Sequence, residues 1–143
     1  EKGIGDFSIG KFQMKPSFIE KMEKKIALFP DEFEAFDFIS KYKEKHAISI
    51  REERIARLKN IQWQIIYINC FYKITDHKFS KLNFSTEKDK LKFYATAYNH
   101  GFECPESEIR SWINKKCFPY GAESDEKGQY SYSDISVYFF EKL

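Results

Sequence analysis

Apolar positions run almost without interruption through the middle of the chain. Trp63, Ile65, Ile66, Tyr67, Ile68, Cys70 and Phe71 follow a segment in which Ile55, Leu58 and Ile61 share one helical face and Arg51, Arg54, Arg57 and Lys59 the other. A helix without a polar face is enclosed on all sides. The pattern therefore predicts one central helix over 50–75, with 61–72 its most buried stretch and the other helices wrapped around it. Around that segment the chain carries repeated helix-start signals. Ser17 with Glu20, Asp31 with Glu34, and Ser49 with Glu52 have capping-box spacing, and Thr86 with Asp89 is a weaker version. Pro105 suits a first helical position, Ser133 and Asp134 open a last segment, and Gly101 suits a helix C-terminus. Helices are expected over 17–28, 31–46, 50–75, 86–99, 105–116 and 133–143, with a loop over 118–129. No period-2 run is long enough for a sheet. The expected class is all-α, a single helical domain over 1–143 with a buried central helix and neither a linker nor an internal repeat.

Composition narrows the functional classes. Lys plus Arg is 24 against 22 for Asp plus Glu, a net charge of +2, and a dedicated nucleic-acid binder carries a strong basic excess. The uncharged run 61–72 is too short to span a bilayer. Fifteen Phe, nine Tyr and two Trp exclude a disordered chain and supply a sizeable core. Cys70, Cys104 and Cys117 form no CxxC and match no zinc spacing, so no metal is expected. Cys104 and Cys117 suit a disulfide in an oxidising compartment; buried free thiols are the plainer reading. His46, His77 and His100 do not cluster and read as surface or capping residues. No phosphate loop or other cofactor motif is present. The chain opens at Glu1 with neither Met nor a hydrophobic leader, which reads as a mature or trimmed piece.

Two short segments carry a more specific signal. Gly5, Asp6, Ser8, Gly10, Gln13 and Pro16 lie directly before a helix start, where small residues admit a bulky ligand and a Gln can both donate and accept. A tight loop with a satisfied Gln is the plainer reading of that segment alone. Further on, Ala95, Ala97, Tyr98, Asn99 and Gly101 end a predicted helix with small residues and a Tyr-Asn pair. Taken together, Ser8-Ile-Gly10-Lys-Phe-Gln13-Met-Lys-Pro16 followed by Ala97-Tyr98-Asn99-His-Gly101 resembles the lytic transglycosylase and goose-type lysozyme superfamily. There, a small-residue, Met-Gln and Pro segment precedes an Ala-Tyr-Asn-x-Gly helix end. Here Lys11 and Phe12 replace Leu-Met, His100 replaces a small residue, and the stretch between the motifs is longer than the family's, which implies an enlarged helical insert. The helix over 134–143 echoes the family's final helix.

The resemblance implies a lysozyme-like helical fold acting on the β-1,4-linked GlcNAc–MurNAc strands of peptidoglycan, in the periplasm or cell envelope of a bacterium, without a cofactor. It implies that Ser8, Gly10 and Gln13 line the glycan groove, that Tyr98 orients the catalytic carboxyl, that Asn99 bonds the sugar or holds the motif, and that Gln13 faces Tyr98 and Asn99 across one cleft. Phe12, Tyr94, Trp112 and Tyr120 are candidates for stacking on sugar faces. The family's general acid is a Glu upstream of the Gln segment. Glu1 is one candidate; the likeness of Gly5-Asp6 to the Gly-Asp of goose-type enzymes points instead to a Glu preceding residue 1, and the 143-residue chain is then expected to clear cell walls weakly or not at all. A transglycosylase needs one carboxyl, as acid and then as base toward the sugar's own 6-hydroxyl. A hydrolase needs a second to hold water, and Asp6 is the candidate. The rival readings are a non-catalytic peptidoglycan-binding module on the same scaffold and a helical interaction protein whose Gln13 and Asn99 only cap helices.

Overall fold

Pro16 opens helix α1 (Pro16–Leu28), where its fixed φ suits the first turn and its missing N–H leaves no orphan donor. The computed structural model describes residues 6–118 and 128–142. Ser17 sits inside that first turn and does not cap it. Asp6 does so from eleven residues upstream: Oδ1 accepts from the Ser17 N–H at 3.0 Å and Oδ2 from the Ser17 hydroxyl at 2.6 Å. A carboxylate there satisfies an orphan N–H and complements the helix dipole.

The chain packs as two compact units that meet in sequence between Ile74 and Thr75. In the first unit, α1 buries Pro16, Ile19, Met22 and Ile26 and packs against a 3₁₀ helix, Glu34–Ser40, and against α2 (Ala47–Lys59). The α-helix expected over 31–46 does not form. The carbonyls of Ile39 and Lys41, which a continuing helix would bond internally, accept instead from the Arg57 guanidinium. The single helix expected over 50–75 is also broken. Asn60 takes an extended conformation, and its Oδ1 accepts from the N–H groups of Gln62 and Trp63 at 2.9 and 3.2 Å. It thus ends α2 and caps α3 (Ile61–Lys78).

The two arginines expected to face outward lie inside. Arg54 and Arg57 are buried beside Leu58, whereas Ile61, expected inside, is exposed. Arg54 Nη2 donates to Glu23 Oε2 at 2.7 Å, Arg54 Nε donates to the Tyr42 hydroxyl at 3.2 Å, and that hydroxyl donates to Glu23. Burial, then Glu23, holds the Tyr42 phenol well above its ordinary pKa. Arg57 lies over the rings of Tyr42 and Trp63, 4.4 and 4.3 Å from their centroids, and donates to Glu53 Oε1 at 2.7 Å. The planar guanidinium is the cation suited to this placement, since it stacks on rings while its edge donates to carbonyls and carboxylates.

Helix α3 is not enclosed on all sides. Gln64, Tyr67, Cys70, Phe71 and Ile74 are buried, a one-sided stripe at helical spacing, while Ile61, Ile65 and Tyr72 are exposed. On this helix Phe71 meets Phe18 of α1 and Trp63 meets Phe38 of the 3₁₀ helix, and the remaining apolar residues stay at the surface, as much apolar area does in folded proteins. Among the described residues the longest run of buried positions is 93–97 instead. Ile65→Ala, which an enclosed helix would make costly, is therefore expected to cost less than about 1 kcal/mol by urea denaturation. A loss above about 2 kcal/mol would mean that this face is covered in solution.

The second unit centres on α4 (Glu87–His100), which packs against α5 (Glu106–Trp112) and α6 (Tyr132–Phe140). Both ends of α4 follow the sequence signals. Thr86 Oγ1 accepts from the Asp89 N–H at 3.1 Å, and Gly101 ends the helix, its N–H bonding the Ala97 carbonyl at 3.0 Å. Helix α5 is shorter than expected: the chain leaves it to form β1 (Lys116–Phe118), paired antiparallel with β2 (Tyr130–Ser131). The cap of α6 is Ser131, which accepts from the Asp134 N–H at 3.1 Å. Ser133, expected to open the helix, lies within its first turn and donates to the Ile113 carbonyl. Phe79, Phe93, Tyr94, Ala97, Phe102 and Ile109 form the core of this unit. The protein is all-α, with seven helices and one two-stranded ribbon among the described residues. None of the described helices is long and apolar enough to cross a membrane.

Candidate functional site

The segment before α1 folds back on itself. Ile9 and Met14 exchange backbone hydrogen bonds of 2.8 and 3.1 Å, enclosing a tight turn whose Gly10 has φ +74° and whose Gln13 has φ +52°. Gln13 is the one residue other than glycine with positive φ among the described residues. The left-handed region costs an L-residue with a Cβ about 1 kcal/mol or more, so its surroundings must hold it there. Two contacts do. The Gln13 side-chain amide donates to the Gly10 carbonyl at 2.7 Å, and Met14 next to it is fully buried.

Gln64 of α3 clamps the same turn. Its Oε1 accepts from the Phe12 N–H at 3.0 Å and its Nε2 donates to the Leu58 carbonyl at 2.8 Å, so a fully buried amide is satisfied at both ends. A Cβ on Gly10 would lie 1.9 Å from Gln64 Nε2. Glycine is needed there both for the backbone conformation and for the approach of the amide.

Of the residues singled out in the sequence, Gly10 and Gln13 thus lie on this exposed turn of the first unit and Asp6 and Ser8 on the exposed segment leading into it. Asp6 is engaged by Ser17. Phe12, on the same turn, is partly exposed. Glu1 and Tyr120 lie outside the described residues.

Tyr98 and Asn99 belong to the second unit, on the last turn of α4. The Tyr98 ring stacks on Tyr132 of α6, with centroids 6.3 Å apart and planes at 26°. Burial, then the neighbouring Tyr132, raises the Tyr98 phenol above its ordinary range. Tyr94, a stacking candidate, is buried, and its hydroxyl donates to Asp76 at 2.9 Å. Trp112 is occupied by the His100 ring, stacked at 4.1 Å between centroids and 21° between planes.

The end of α4 also gathers three residues whose spacing matches no common zinc motif. His100 closes the helix, Cys104 ends the turn that follows, and Glu108 lies in α5. One side-chain donor atom from each lies within 4.8 Å of the other two. His100 Nε2 and Glu108 Oε1 are 2.8 Å apart. The hydrogen bond to His100, and then that to Cys104, hold the Glu108 carboxyl below its ordinary pKa.

The turn between them is fixed by Lys78, whose ammonium donates to the carbonyls of Phe102 and Cys104 at 2.9 and 2.6 Å. Gly101 has φ +148°, and a Cβ there would stand 3.3 Å from Cys104 Sγ. All three cysteines are free thiols. Cys70 is fully buried, which pushes its thiol up to about 12, while Cys104 and Cys117 are half-buried.

The sequence signal for this group is the spacing His-x₃-Cys-x₃-Glu, which crosses a helix end, a turn and a second helix. Apart from these groups, the second unit has a concavity of about 160 Å³ lined by Asn83, Phe84, Asp89, Lys92 and Arg110 among others, smaller than the roughly 300 Å³ at which ligand pockets begin. Compared with known protein families, curated proteins and solved structures, the chain matches none.

Proposed function

We propose that the protein acts on the glycan strands of peptidoglycan in the manner of a lytic transglycosylase, with the segment carrying Ser8, Gly10 and Gln13 as one glycan-contacting element and Tyr98 with Asn99 as another. The observation that carries this reading is the left-handed backbone of Gln13. Strain of this kind collects where a side chain must be presented in a set direction. It falls here on the residue that the resemblance assigns to the sugar, and on an exposed turn rather than in the core.

The chemistry needs one carboxyl group that protonates the glycosidic oxygen and then, as a carboxylate, draws the proton from the sugar's 6-hydroxyl as the anhydro ring closes. A water-activating second carboxylate belongs to the hydrolytic alternative. Asp6 is the candidate for it, and both of its oxygens already accept hydrogen bonds at the start of α1. That engagement favours the anhydro product.

Cosedimentation of the chain with purified cell-wall sacculi tests the reading. Gln13→Gly keeps the turn's backbone, since glycine accepts a positive φ, and removes only the side chain. Its expected stability is within about 1 kcal/mol of the parent, with affinity for sacculi reduced about three- to tenfold, the value of one or two polar contacts. Asn99→Ala is expected to lower affinity to a similar degree. Sacculus binding that is absent in the parent, or unchanged in both variants, removes the glycan assignment.

A further inference from the structure

We propose that His100, Cys104 and Glu108 form a binding site for a divalent transition-metal ion of the zinc type, with three protein ligands and a fourth position open to solvent. The inference does not depend on the glycan reading: its ligands follow Tyr98 and Asn99 along the chain and take no glycan-contacting side chain.

The donor set points to the ion. An imidazole nitrogen, a thiolate and one carboxylate oxygen suit zinc and its borderline neighbours, whereas magnesium and calcium take oxygen ligands alone. The charges match as well: one thiolate and one carboxylate neutralise a dication.

The geometry needs little change. Around a tetrahedral zinc with bonds of about 2.0–2.3 Å, ligand atoms lie roughly 3.3–3.7 Å apart. The three donor atoms here already lie within 4.8 Å of one another. The closest pair, His100 Nε2 and Glu108 Oε1 at 2.8 Å, has only to open by about half an ångström.

The surroundings hold the ligands in place. Trp112 stacks on the His100 ring and sets its plane. Lys78 pins the Phe102 and Cys104 carbonyls and so the path of the turn. Its ammonium is directed at those oxygens and offers no ligand atom. Gly101 leaves room for the thiol, since any side chain there would press on Cys104 Sγ. Supporting contacts of this kind orient metal ligands and raise affinity.

Access is also provided. The His100 side chain is 17% exposed and that of Glu108 45% exposed, which leaves a route for the ion and a free coordination position for water or a substrate group. Three protein ligands with one open position is the arrangement of zinc sites that do chemistry, whereas purely structural sites are closed by four.

Cobalt(II) is the probe, added to the reduced, full 143-residue chain. One equivalent is expected to bind, giving a thiolate-to-cobalt charge-transfer band and the strong visible bands of a tetrahedral ion, and one equivalent of zinc should displace it. Magnesium in excess should not. Cys104→Ser is expected to abolish the charge-transfer band, while Cys117→Ser keeps it. Glu108→Gln alters an exposed side chain and can still bond His100, so it tests the site without threatening the fold. It should weaken zinc binding at least about tenfold with an unchanged circular dichroism spectrum. Absence of the charge-transfer band in the parent chain overturns the proposal. So does a band that follows Cys117 instead of Cys104, or zinc affinity that is unchanged in both Glu108→Gln and His100→Ala.

Discussion

Replacing Glu23 with alanine is expected to destabilise the first unit by about 3 kcal/mol, read as a fall in the urea midpoint at constant slope. The carboxylate accepts from both Arg54 and Tyr42, and the side chains of Arg54 and Glu23 are 11% and 13% exposed. Truncation leaves a guanidinium and a phenol in a desolvated place without their acceptor. Most of the loss is that orphaned charge, and not the net worth of the pair. The companion experiment is therefore Glu23→Ala combined with Arg54→Leu. Removing both partners should recover part of the loss, and the difference between the double and single variants measures the coupling. A cost below about 1 kcal/mol for Glu23→Ala would place the pair in effective contact with water, where exposed ion pairs contribute little.

In the second unit the largest effect is expected at Phe93. Its ring is fully buried, edge-on to Phe79 at 4.9 Å and tilted against Phe84 at 5.5 Å, with the Arg110 guanidinium 5.4 Å from its centroid. Phe93→Ala removes that surface and leaves a cavity between rigid rings that collapse poorly, a cost of about 3–5 kcal/mol. Phe93→Leu keeps most of the volume and should cost less than half as much. Equal, small losses in both variants would show that the aromatic cluster is loosely packed and can close over the gap.

Local cap signals were legible at α4, whereas Ser17, Ser49 and Ser133 lie inside the helices they were expected to open. Thr86 and Asp89 at one end of α4 and Gly101 at the other mark that helix because a cap needs only its own neighbours. The helical class followed from the same signals. What was not legible depends on partners far along the chain. Arg54 and Arg57 read as a solvated face because charge at helical spacing is usually outward; Glu23, Tyr42, Trp63 and the carbonyls of residues 39 and 41, brought in by other elements, make their burial tolerable together with Glu53. Those same carbonyls explain the loss of a helix over 31–46. The break at Asn60 rests on its side chain capping α3, which the apolar pattern over 50–75 does not mark. In the candidate site, the Gln13 turn was visible as a cluster of small residues and a Gln. Its left-handed backbone and the Gln64 clamp were not, since a long-range amide contact leaves no spacing to read. The His100, Cys104 and Glu108 group has no short Cys and His repeat to mark it, because its spacing runs through a helix end.

The meeting of Gly10 and Gln64 has a consequence for how this sequence can drift. A Cβ at position 10 would occupy the space of the Gln64 amide, and that amide in turn bonds the Phe12 N–H and the Leu58 carbonyl. Neither position can change alone without either a steric overlap or unpaired backbone groups. Among descendants of this chain the two sites should therefore substitute together: a larger residue at 10 should be accompanied by a shorter one at 64 and by a new acceptor for Phe12. Where 64 remains Gln, 10 should remain Gly. Substitution records at this pair would register a contact that local sequence pattern does not reveal.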